Sequence, residues 1–265
     1  MTADVLAATT RLRTTIARKA TVRQSKKNKG PTIRLRTADG KWRACRGITD
    51  LLARAFWPCY RYYSAKHVGL EGEQLELATS GLQRDKRREK NYRRRKTRGH
   101  DLGSKVHKQV ARLVNGEGRE LVRPEPIARN FIRYMQRYEW TPLAAELPCV
   151  IPEVRVGTMV DVIAMDADGQ YVLIENKIGY GDTMHKARSY MKGPLMNVTD
   201  CPLNQHFVQL AMMRLMLERT HEIKVPVENC FVLQGTASGI TPYELPRWAL
   251  QKGDAMWQYF CEFVK

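Results

Sequence analysis

An α/β or α+β core is the fold class this sequence predicts, and three observations carry the expectation. Val156 to Met165 and Tyr171 to Asn176 are strand-like and flank a turn ending in Asp168-Gly169. Apolar residues recur at helical spacing before them, at 103–114, and after them, from Leu203 to Glu218. A short buried strand is expected at Asn229 to Leu233, so the order runs helices, strands, helix, strand.

The 265 residues, 43% of them hydrophobic, suffice for one large domain or a core with a helical appendage. Residues 1–40 are rich in Arg, Lys and Thr, carry only Asp4 and Asp39 as acids, and break at Gly30-Pro31, which predicts a flexible basic arm. Such an Arg-rich, acid-poor start also resembles a mitochondrial transit peptide. Ile48 to Trp57 predicts a short amphipathic helix capped by Thr49 or Asp50, stopped by Pro58 and docked on the core. Residues 84–98 hold ten Lys or Arg against Asp85 and Glu89. Residues 41–98 thus read as a helical basic region packed on or arching over a core at 99–265. In the next helix Val106, Val110, Leu113 and Val114 form the buried stripe, with His107 beside it.

Charge narrows the function. Forty-five Lys and Arg against 27 acids give +18, which opposes compaction and attracts polyanions. The clustering at Arg87, Arg88, Arg93, Arg94, Arg95 and Lys96 predicts phosphate contacts, with a nuclear localisation signal or a solvated face as the alternatives. No run of eighteen apolar residues exists, so no membrane span is expected. The six cysteines, at 45, 59, 149, 201, 230 and 261, form no CxxC pair and predict buried free thiols in a reducing, intracellular compartment, without an iron–sulfur cluster.

The hairpin carries the chemistry. A three-residue Ala167-Asp168-Gly169 loop with Gly169 left-handed pairs Asp161 opposite Glu175. Strand alternation puts Lys177 on the face of Glu175, while Val172, Ile174 and Asn176 point away. Two carboxylates converging on an apolar hairpin repel each other, so the pattern makes sense around a divalent cation with oxygen ligands, or else as a surface salt-bridge cluster. With a cation, Lys177 would position or deprotonate a water and stabilise charge on a phosphate.

Gly157-Thr158-Met159-Val160-Asp161, Ile174-Glu175-Asn176-Lys177 and the Asn204 to Leu210 helix together resemble the RecB-like exonuclease branch of the PD-(D/E)xK nuclease superfamily, over roughly residues 99–233. The resemblance implies a restriction-endonuclease-like α/β core, a mixed central sheet flanked by helices. Gly103 and His107 match the family's leading helix, Glu146 the acid on a preceding strand, and Gln209-Leu210 the closing helix. Asp161 and Glu175 would then bind metal with a main-chain carbonyl of Ile174 or Asn176. By the same resemblance His107 would be a further ligand or a phosphate contact, Glu146 a further ligand, Gln209 would orient the site or the DNA, and Gln205 would contact nucleic acid. Met213 and Ile178 depart from the usual pattern. The implied activity is Mg2+-dependent cleavage of DNA ends, single strands or flaps, with Mn2+ as a substitute. His107, an acid and Glu175-x-Lys177 also resemble cap-snatching RNA endonucleases. An inactive nucleic-acid-binding module is the third alternative.

Overall fold

The computed structural model describes residues 3–19, 22–27, 30–36, 41–58, 101–116, 124–187 and 189–265. The basic cluster Arg87, Arg88, Arg93, Arg94, Arg95 and Lys96 lies outside them. The chain folds as a mixed α/β structure with helices on both faces of a six-stranded sheet.

Five strands build most of that sheet: β5 (Thr141–Ile151), β6 (Val156–Met165), β7 (Tyr171–Ile178), β8 (Cys230–Gly235) and β9 (Ile240–Glu244). Antiparallel pairing joins β5 to β6, β6 to β7 and β8 to β9, while β7 and β8 run parallel. That parallel step needs a crossover, supplied by the long helix Pro202–His221. The sixth strand, β4 (Arg46–Gly47), pairs parallel with Val156 and Gly157. Since β5 already holds one edge of β6 along its length, β4 and β7 share the other. Asp161 sits where the β7 ladder gives out.

Two apolar layers follow from strand alternation. On one face Val162, Ala164, Val172, Ile174 and Leu233 pack with Val106 and Val110 of α3 (residues 101–114) and with Phe131 and Met135 of α4 (Pro126–Arg137). On the other, Ile163, Leu173 and Val232 meet α2 (Ile48–Phe56), α5 (Pro202–His221) and α7 (Gly253–Val264), reached through the short α6 (Arg247–Gln251). Helix α5 is buried nearly all round, as its apolar sequence demands.

Two expectations need correction. In place of a flexible arm, the described residues among the first 36 form α1 (Ala3–Lys19) and the antiparallel pair β1 (Val22–Lys27) and β2 (Gly30–Arg36), extended by β3 (Trp42–Ala44). Val5 and Leu12 of α1 enter the main core, and Ile33 and Leu35 cover Val150. Their apolar spacing, i and i+7 in the helix and i and i+2 in the strand, outweighs the surrounding charge. Helix α2 is capped by neither Thr49 nor Asp50: Gly47 is its N-cap, without a side-chain bond, and Asp50 lies in the first turn, paired with Arg54. Among the described residues no helix is long and apolar enough to cross a membrane, and the five cysteines seen are free, with Cys149, Cys201 and Cys230 buried.

Candidate functional site

The hairpin closes as its sequence predicts. Gly169 is left-handed at φ 77°, and Asp166 and Gln170 close the loop through Asp166 N–H to Gln170 O at 3.0 Å. The register then runs Met165↔Tyr171 to Val162↔Ile174, so its next step would pair Asp161 with Glu175. The ladder stops one step short. There the Asp161 carboxylate accepts the Asn176 N–H at 2.8 Å, standing in for the strand carbonyl that the splayed β6 no longer offers. Asn176 is thus tied to the site through its N–H.

Strand β5 bends to meet this point. Glu146 has φ 51°, a left-handed conformation that costs a non-glycine residue about 1 kcal/mol or more. The twist reverses the alternation: Ala145 faces the α3–α4 layer, and Leu147, two residues on, faces the other. Val162 and Val160 of β6 switch faces in the same way around Asp161. Both acids thereby escape the two apolar layers and meet. His107 of α3 completes the group, with Nδ1 3.3 Å from Asp161 and 3.9 Å from Glu146. One ligand atom from each of His107, Glu146 and Asp161 lies within 4.8 Å of the others.

A second group stands beside the first. Glu175 is 1% exposed; its Oε1 is ion-paired with Lys177 and accepts Gln209 Nε2–H at 2.8 Å. Its Oε2 is buried without a hydrogen-bond partner, a costly state for a carboxylate oxygen that a cation would relieve. Glu175 is not one of the three most tightly grouped candidate ligands, so the pairing of Asp161 with Glu175 expected from the hairpin is widened by His107 and Glu146. Gln205 is committed elsewhere: its amide donates to Asp200 at 2.7 Å, tying α5 to the preceding loop.

Charges in this small volume act strongly on one another. Burial pulls the His107 imidazole down, but the Asp161 carboxylate, through charge and hydrogen bond together, outweighs it and lifts the group to about 9. Burial and then the Asp161 charge push Glu175 up to about 7, against the pull of Lys177. Burial also raises Glu146, with Asp161 adding to it. Asp161 itself is held low because His107, Lys177 and the Asn176 N–H together exceed its desolvation. Burial works against the Lys177 ammonium, yet Glu175 and Asp161 keep it charged. Lys177 is thus held in place as a cation by the two carboxylates.

One residue escaped the sequence reading. His206 lies one turn before Gln209 on α5, 7% exposed, with its ring edge-on to Tyr180 at 4.9 Å and Nε2 buried without a partner. Burial, then the Lys177 charge, holds it well below the ordinary histidine value, so it faces the site as a neutral imidazole. Its spacing from Gln209 was the available signal. His185, by contrast, is exposed.

The chain matches no protein-family model, and no curated protein matches it either.

Proposed function

We propose that this chain is a divalent-cation-dependent DNA nuclease built on a PD-(D/E)xK-type core. The observation that carries the reading is the coincidence of a His107–Glu146–Asp161 ligand group with an adjacent buried Glu175 whose Oε2 has no partner and whose Oε1 holds Lys177. His107, Glu146, Asp161 and Glu175 would hold the cation, Mg2+ or Mn2+. When bound, it supplies Lewis acidity to the scissile phosphate and acidifies a water.

The chain's own groups divide the remaining work. Lys177 stabilises the extra negative charge that the phosphate gains as water oxygen bonds phosphorus and the bridging P–O bond breaks. Gln209 fixes the Glu175 rotamer, and the Asn176 N–H fixes that of Asp161. The test is a cleavage time course on 5′- and 3′-labelled single-stranded, duplex and flapped DNA, and on single-stranded RNA, with Mg2+ or with EDTA. DNA should be cut only with the cation. Absence of cleavage on every substrate overturns the reading, and preferential cutting of RNA replaces it with the RNA endonuclease.

Two further outcomes follow from the site's strain and charge. Glu146→Gly removes both the left-handed penalty and one candidate ligand, so stability in EDTA should rise by about 1 kcal/mol while Mn2+ affinity falls. Urea unfolding and Mn2+ electron paramagnetic resonance read the two effects, and lower stability with unchanged Mn2+ binding would contradict the assignment.

Without a cation, His107 and Glu175 both bind protons more tightly folded than unfolded. Their contributions are complete below the unfolded values, about 4.5 for Glu175 and 6.5 for His107. They are lost as pH rises through about 7 and about 9. Asp161 stays ionised across that window. A cation takes the protons' place, so the rise in Tm that Mg2+ gives over EDTA should grow between pH 5 and pH 9. A rise that does not change with pH would be the contrary result.

A further inference from the structure

The outer face of α4 carries features that the catalytic site does not use. Arg129, Arg133 and Arg137 recur every fourth residue, so they follow one another along a single stripe in steps of about 6 Å. All three are exposed and pair with no acid among the described residues, and the helix itself contains no acidic residue. Phe131 and Met135 on the opposite face anchor it in the core. No ion pair among the described residues accounts for the stripe.

Round the helix from its C-terminal end, about 100° on from Arg137, lies a cluster of rings. Tyr134 and Tyr138 stack tilted at 4.6 Å, and each also lies within 5.8 Å of Trp140, which in turn packs on Phe231 at 4.7 Å. Trp140 is buried, but Tyr138 is 49% exposed, an aromatic surface left open on a rigid base. The Arg137 charge reaches Tyr134 there. Glu139 and Glu244 are the acids at this end, following Tyr138 and acting on Tyr134 respectively.

The other end of the stripe lies beside the site. Glu125, the N-cap of α4, is ion-paired with Lys105 and donates its N–H to Gln109 at 2.7 Å, and those residues flank His107 on α3. One turn further, Asn130 donates to the carbonyls of Thr236 and Ala237 at 3.1 and 3.2 Å. These follow Gly235, the register partner of Ile178, which is the residue after Lys177.

We propose that the Arg129, Arg133 and Arg137 stripe of α4, with Tyr138 just past the end of the helix, is a track for single-stranded nucleic acid: the arginines grip its phosphates, and the strand turns round the helix end to stack a base on Tyr138. Regularly spaced guanidinium groups fit a polyphosphate chain, and an open aromatic surface selects a strand whose bases are unpaired. The stripe spans about 12 Å, or roughly four stacked nucleotides at about 3.4 Å each. It takes its substrate class from the nuclease reading and adds the path by which the strand reaches the centre.

The experiment is fluorescence anisotropy of the full chain with labelled single-stranded and duplex oligonucleotides in EDTA, at several salt concentrations. Arg129→Ala, Arg133→Ala and Arg137→Ala combined should flatten the logarithmic salt slope on the single strand by about two units, from about 0.7 per phosphate contact. Tyr138→Ala should weaken the single strand about tenfold, leave the slope unchanged, and spare duplex binding. All four side chains are exposed, and an unchanged Tm confirms that the variants fold. An unaltered slope in the triple variant overturns the track, as does a Tyr138→Ala protein that binds single strands normally. Cleavage is measured separately with Mg2+: if it is absent while these binding losses appear, the nuclease reading fails and the track stands.

Discussion

Asp161→Asn and Glu175→Gln should each lower DNA cleavage by about a thousandfold or more, while DNA affinity and the circular dichroism spectrum stay as in the wild type. Asparagine keeps an oxygen for the Asn176 N–H, so the splay between β6 and β7 retains its closing bond. What it loses is the charge that both raises His107 and attracts the cation. Glutamine at 175 removes the buried charge whose Oε2 is otherwise stranded. Ca2+ gives a complementary check in the wild type: its looser coordination should support binding with poor cutting. Full activity of either variant at ordinary Mg2+ concentration would refute the assignment.

Lys177→Ala is expected to cost about a hundredfold or more in single-turnover rate at saturating protein, with little change in DNA affinity. The ammonium is held between Glu175 and the charge of Asp161, so its position is set before substrate arrives. Lys177→Arg should not restore the rate. A planar guanidinium cannot occupy the space of a compact ammonium ion-paired with a carboxylate that Gln209 also grips. Wild-type turnover by the alanine variant would contradict the role given to this residue.

The parts of this site legible in the sequence were those written in strand alternation and turn chemistry. Asp168-Gly169 fixed the loop, the loop fixed the register, and the register brought Asp161 opposite Glu175, one step past the last ladder pair. Strand β5 was hidden because Pro142 and Pro148 interrupt its pattern. They are tolerated because among the described residues β5 pairs only with β6, leaving its other edge free of ladder bonds. Glu146 could be matched only by family resemblance, since its meeting with His107 depends on a left-handed kink that no periodicity records. His206 was passed over because a lone histidine on an apolar helix is usually structural, and its unpartnered nitrogen is visible only after folding. The N-terminal segment misled through composition: many charges surround the few apolar residues that dock it.

The central claim is that one divalent cation sits among His107, Glu146, Asp161 and Glu175 and that the chain cuts DNA through it. Anomalous diffraction from wild-type crystals soaked in Mn2+ tests this most directly. The account predicts a single strong peak within ligating distance of Asp161 and Glu175 and bordered by His107 and Glu146, absent from Asp161→Asn crystals. A peak confined to other residues, or one that survives unchanged in the Asp161→Asn protein, would contradict it.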